Sequence, residues 1–319
     1  IVNDAALTFA ASTVGGALTA TATSGNITDS GALAITGTTT LVTSADNGTI
    51  VLDVTTNAFT GALTITTNDS SGTDADVTID GGTTALIIAA STIDGDLTLT
   101  SGNASGITDS GTVTVGGNLS ATTDANAGVI NLGTMAVDGT IALTTNSTGA
   151  ATIVNDAALT FAASTVGGAL TATATTGDIT DSGTLTITGA AIFKTGADGS
   201  NIVLDGSSNA FSAAVTMIAD AGGEDFGNIT FVDSAAIDFA TSASSNGDLY
   251  INSSTDGTVG GNLSVTATTG NITDTVALAV TGTTTLVTSA DNGTIVLDVA
   301  TNAFTGALTI TTNDSSGTD

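Results

Sequence analysis

Apolar residues alternate with threonine along much of this chain. Leu63-Thr-Ile65, Leu97-Thr-Leu99, Val113-Thr-Val115, Leu185-Thr-Ile187 and Leu308-Thr-Ile310 all repeat with a period of two. That period buries one face of a β-strand and wets the other. Many of these segments directly follow a glycine, as in Gly61-Ala-Leu, Gly95-Asp-Leu, Gly168-Ala-Leu and Gly261-Asn-Leu. Asn47-Gly48, Asp80-Gly81, Asp138-Gly139 and Asn292-Gly293 punctuate the strands as turns. Helix of any length is disfavoured by so much Gly, Thr and β-branched sequence. The pattern predicts that Leu33, Ile35, Leu41, Ile50, Leu52, Phe59, Leu63 and Ile65 point inward.

The same segments return further along. Ile1–Thr23 recurs letter for letter at Ile153–Thr175, and Thr36–Asp74 recurs at Thr281–Asp319 with one change, Thr55 to Ala300. Beyond the exact copy, Ile1–Ile65 maps without gaps onto Ile153–Met217, where the inward positions become Leu185, Ile187, Phe193, Ile202, Leu204, Phe211, Val215 and Met217, all apolar. Lys194 stands where Val42 and Val287 stand, beside an inward position, and is expected to point outward. A buried lone ammonium would be strongly disfavoured. Gap-free copies at offsets of 152, 245 and 93 residues mark a repeat array. If each offset is a whole number of coils, a coil of about 19 residues fits all three. The chain is then one continuous β-solenoid over 1–319 with about 17 coils, roughly 80 Å long at the ordinary strand spacing. The segment 220–256 is the least repetitive. The chain starts and stops inside its own repeat, so it reads as an excerpt of a longer array.

Composition narrows the class. Hydrophobic residues make up 41% but aromatics only 3%, which suits thin stacked strands better than a wide core. Proline is absent, as expected where nearly every strand bonds on both sides. No cysteine is present, so disulfides and thiolate metal sites are excluded. Thirty carboxylates stand against a single Lys or Arg, and the formal net charge is −29. Such a surface repels nucleic acid and anionic membranes. No apolar run approaches the roughly 20 residues of a membrane helix. The expected fold class is therefore all-β, a parallel β-helix, right-handed because parallel crossovers nearly always are.

Gly15–Ile65 resembles the filamentous-haemagglutinin-type repeats of large bacterial adhesins. The likeness is carried by G-x-L-x-[VIL], by ITDSG at Ile27–Gly31, Ile107–Gly111 and Ile179–Gly183, and by NAFTG at Asn57–Gly61 and Asn302–Gly306. A third copy of the last reads NAFSA, at Asn209–Ala213. The resemblance implies a right-handed parallel β-helix in a secreted or cell-surface fibre. The expected partners are flanking repeats, other copies of the chain, extracellular polysaccharide or a host cell surface.

Candidate chemistry is sparse. With no His and one basic residue, general base work would fall to Asp alone. The expected role is the shaft of an adhesin, without catalysis or a required cofactor. Calcium is the one cofactor with candidate ligands. Hard cations want clustered oxygens, and Asp69, Asp74, Asp76, Glu224 and Asp225 lie in turn segments that could supply them. Outward Thr-x-Thr rows such as Thr19-Ala-Thr21-Ala-Thr23 suit ice binding or simply a wet strand face. A binding module for carbohydrate, calcium or ice is the alternative reading, sought first in 220–256 around Tyr250, the single tyrosine. A polysaccharide-active enzyme is the third.

Overall fold

The computed structural model describes residues 1–68, 70, 74–219, 227–240, 247–252 and 258–313. Among these there is no helix; the chain forms short strands joined by turns, and the strand pairings are parallel. It is a parallel β-solenoid in two compact units, Ile1–Ala157 and Ala158–Asp319.

In the first unit the strands Leu18–Ala22, Thr39–Asp46 and Leu63–Asn68 stack on one face, with Leu18 over Thr39 and Thr39 over Leu63. The opposite face is a second stack. Six stacking steps carry it from Leu7 through Ile27, Ile50, Val77, Leu97 and Leu119 to Ile141, about 22 residues per step. A third, narrow sheet of Ser12–Val14, Leu33–Ile35 and Ala58–Phe59 closes part of this unit.

The second unit repeats the plan. Leu170–Ala174, Ala191–Thr195 and Val215–Ala219 stack on one face. The other face climbs from Leu159 through Ile179, Ile202, Ile229, Leu263 and Thr284 to Leu308. One step here spans 34 residues: Val215 pairs with Leu249, and Ile229 with Leu263. Part of the excess forms a local parallel pair, Asp238 against Asp248 and Phe239 against Leu249. This is the segment that the sequence marks as least repetitive.

The solenoid thus has about 13 turns of roughly 22 residues, not 17 of 19. The error lies in requiring every offset to be a whole number of coils. Leu170 and Leu263 are copies 93 residues apart, yet they occupy opposite faces. Leu170 lies in the stack that continues to Ala191, whereas Leu263 sits on Ile229, Ile202 and Ile179 in turn. An offset of 93 residues is three coils plus the passage from one face to the other.

The passage has a fixed form. In the first unit Val77–Asp80 stacks on the short strand Ile50–Leu52 and carries the long strand Leu97–Ser101. In the second, Ile229–Asp233 stacks on Ile202–Leu204 and carries Leu263–Ala267. These two switch strands move the long strands from one face to the other.

The core is as narrow as the composition requires. All eight predicted inward residues and all eight copies are at most 3% exposed. In the second unit Phe161, Phe193, Phe211 and Phe231 form a continuous aromatic column with centroids 6.1, 6.0 and 5.1 Å apart. The first two pairs are edge-to-face and the third is tilted; aromatic pairs of this kind add about 0.5–1.5 kcal/mol each beyond area burial. Turns are equally regular. Asn47 and Asn292 adopt φ of 59° and 56° before their glycines, a left-handed conformation that Asn tolerates better than most residues. Coils approach so closely at Gly61 that a Cβ there would lie 2.5 Å from the carbonyl of Gly37.

Candidate functional site

The two motifs that stand out in the sequence are halves of one structural staple. The Asp of ITD lies in one coil, and the Asn of NAF in the next. Asn57 Nδ2 donates to Asp29 Oδ2 at 2.7 Å, and Asn57 Oδ1 accepts from the Leu33 amide at 2.8 Å. The same three-part bond forms at Asn209, Asp181 and Leu185, with distances of 2.7 and 2.8 Å. It forms again at Asn302, Asp274 and Leu278, at 2.6 and 2.7 Å. The other carboxylate oxygen accepts a backbone amide of the next coil, from Asp53, Asp205 or Asp298. Asn57 and Asn209 are almost fully buried, so the amide is a satisfied core group rather than a free one.

A second ladder runs along the residue preceding each strand of the opposite face. Asp76 Oδ1 accepts the Asp96 amide at 2.8 Å, Asp96 Oδ1 the Asn118 amide at 2.7 Å, and Asn118 Oδ1 the Thr140 amide at 2.8 Å. In the second unit Asp178, Asn201, Asn228 and Asn262 do the same up to Thr283. Each side chain satisfies an amide at the start of the strand above it.

The calcium candidates fare unevenly. Asp69, Glu224 and Asp225 lie outside the described residues. Asp74 and Asp76 are exposed, and Asp76 is the first member of the ladder just described. Among the described residues no group of three or more His, Cys, Asp or Glu side chains could hold a metal ion. A groove of about 290 Å³ lined by Asp181, Ser182, Asp205 and Ser207 brings two carboxylates together. Both oxygens of Asp181 are already used by the staple.

Asp80 and Asp233 have pKa values held above the ordinary range, and each ends a switch strand. Burial raises Asp80, the Gly82 amide at 2.7 Å partly restores it, and the charges of Asp124, Asp53 and Asp29 raise it further. Burial also raises Asp233, which is 3% exposed, while the amides of Phe211, Ser234 and Ala235 oppose that effect. The amide of Phe59, the counterpart of Phe211, bonds instead to Thr84 Oγ1 at 3.1 Å. Sequence reading missed Asp233, because its burial depends on coils far away in the chain.

Sequence reading expected Lys194 outward and sought a binding patch around Tyr250, but did not place the two on one surface. On the second unit, Ile192 pairs with Thr216 and Thr216 with Tyr250, while Lys194 pairs with Ile218. Lys194 is exposed, as expected, and Ile192 is 39% exposed on the same side of the strand. The available signal was the replacement of outward Thr40, Val42 and Thr66 by Ile192, Lys194 and Ile218 between copies.

No curated protein and no solved structure gives a significant match to this chain. The family model described as repeats of unknown function (DUF5649) matches residues 1–66, 148–218 and 226–311. These segments carry the staple residues Asp29, Asn57, Asp181, Asn209, Asp274 and Asn302. The chain therefore belongs to that repeat family.

Proposed function

We propose that this chain is the shaft of an extracellular bacterial adhesin or surface filament, of the filamentous-haemagglutinin kind, which projects length and presents a repeated acidic, Thr-rich surface. The observation that carries the reading is the staple. In three copies it uses a carboxylate and a side-chain amide to join one coil to the next. Both motifs are directed along the stack, from one coil to its neighbour.

The physics of a stack suits that role. Each coil contacts only its neighbours, so stability accumulates with length. A net charge of −29 keeps such a surface soluble and discourages non-specific lateral association. Coils also cover one another: Leu63 and Ile65 are fully buried within the stack. The fitting partners are further coils of the same kind, from flanking repeats or from another copy.

Electron microscopy of the purified chain tests the shaft directly, together with antibody labelling of intact, unpermeabilised cells. The expected result is thin, uniform rods and labelling at the cell surface. Compact globules, or signal only after permeabilisation, would refute the reading.

A further inference from the structure

The outward patch on the second unit has a chemistry found nowhere else in the chain. It unites the single lysine, the single tyrosine and two isoleucines that replace threonines. Lys194 and Ile192 lie on the strand Ala191–Thr195, Ile218 on Val215–Ala219, and Tyr250 on the next strand of the same face. Successive strands stand about 4.8 Å apart, and outward neighbours along a strand about 7 Å apart. The four side chains therefore share an area comparable to one or two sugar rings.

Three features mark it as more than a neutral change of surface. First, the inward copies keep apolar character, but the outward ones change kind: Thr40 and Thr285 become Ile192, Val42 and Val287 become Lys194, and Thr66 and Thr311 become Ile218. Second, Tyr250 reaches the patch only through the 34-residue step, which places Tyr250 against Thr216. Third, the outward strand neighbours of Lys194 are Thr173 and Ile218, not carboxylates. Among the described residues no carboxylate forms an ion pair with Lys194.

We propose that this patch binds an acidic glycan, a pyranose chain bearing carboxylates. An aromatic face beside aliphatic side chains accepts the apolar face of a sugar ring, since Tyr pairs an apolar body with a polar tip. The Lys194 ammonium supplies the one cation able to receive the sugar carboxylate, and a charge-assisted bond fixes register along the glycan. A sugar carboxylate gains more from a lysine in place of valine than a neutral hydroxyl does, because both partners of the bond are then charged. The strands hold the four side chains in place before the ligand arrives, which lowers the ordering cost of binding. This proposal is independent of the shaft reading and survives its failure.

Isothermal titration of the full chain with tetragalacturonic acid, and separately with neutral galactotetraose, tests it. Binding of the acidic oligomer is expected, with a loss of about tenfold or more in Lys194→Met and a similar loss in Tyr250→Ala. Lys194→Arg should retain it. Affinity should rise as salt approaches 0.15 M, because the Debye length shrinks to about 8 Å and the chain's own negative field no longer repels the ligand. Unchanged circular dichroism and melting of the variants assign any loss to the patch. Three outcomes overturn the proposal. They are no heat with the acidic oligomer, equal affinity for the neutral one, and sedimentation showing a dimer that Ile192→Asp dissolves while no glycan binds.

Discussion

Leu170 and Leu263 begin strands copied from the same repeat position, Leu-Thr-Ala-Thr-Ala and Leu-Ser-Val-Thr-Ala, yet they lie on opposite faces of the second unit. The first three long strands of that unit stack on one side, and Leu263–Ala267, Thr284–Asp291 and Leu308–Asn313 stack on the other. The same exchange occurs in the first unit between Leu63–Asn68 and Leu97–Ser101. The switch strands and the staples that brace their neighbouring coils are therefore the places where perturbation is most informative.

Removing a staple amide should weaken the fold measurably. Asn209→Ala leaves the Leu185 amide without its acceptor and takes a donor from Asp181. A buried unsatisfied group costs about 1–3 kcal/mol, so a loss of at least about 2 kcal/mol is expected in urea denaturation. Asn26→Ala, whose bond to the Thr49 amide lies in solvent, should lose under about 1 kcal/mol. Equal losses at the two sites would contradict the assignment of the staple.

The buried carboxylate of Asp233 should leave a signature in pH. Its folded pKa lies above the unfolded value of 3.8. Between the two values the folded state holds a proton that the unfolded state has released, so stability falls as pH rises through this window. Asp233→Asn removes that dependence. The stability of the variant relative to the parent should grow from pH 3.5 upward and then level off above the folded pKa. Asp80, raised for the same first reason, should show a change in the same direction in Asp80→Asn. A constant difference at all pH values would count against both.

Close approach of coils at glycine predicts a position-dependent penalty. Gly61→Ala puts a methyl group 2.5 Å from the Gly37 backbone, whereas a Cβ at Gly15 meets nothing within 4 Å. Overpacking of this kind costs about 1–3 kcal/mol. Thermal melting should separate the two variants by several degrees, with Gly15→Ala close to the parent.

Screening and specific binding of calcium can be told apart by matching ionic strength. The Asp76 to Asp96 contact places two carboxylates on adjacent strands, where any salt relieves repulsion. Sodium and calcium chloride at equal ionic strength should raise the melting temperature equally, and EDTA should then change nothing. An additional rise with calcium, reversed by EDTA, would assign a cation to the chain and direct attention to Asp69, Glu224 and Asp225.

Much of this fold was legible in the residues, for physical reasons. Alternation at Leu63-Thr-Ile65 and Leu185-Thr-Ile187 reports which side of a strand is dry, and each predicted inward residue is buried. Coil length was not legible, because a copied segment reports the state of its own strand and not the face on which that strand lands. Leu170 and Leu263 fit either face equally well. The staple was half legible: ITDSG and NAFTG were visible as motifs, but the bond between Asp29 and Asn57 spans 28 residues and requires the stacking register. The patch around Lys194 was least visible, since Tyr250 joins it across a step longer than any copy predicts.

Leu170 and Leu263 also bear on how such a gene can grow. If every inserted stretch had to return its strands to the face they left, only whole-coil insertions would survive recombination. A fold that accepts the same words on either side also admits half-coil insertions, which doubles the number of viable crossover lengths. Val77–Asp80 and Ile229–Asp233 then act as grammatical joints, where one copied phrase ends and another begins in opposite voice. Lineages that share this grammar can then differ in length by about half a coil, roughly 11 residues, as well as by whole coils.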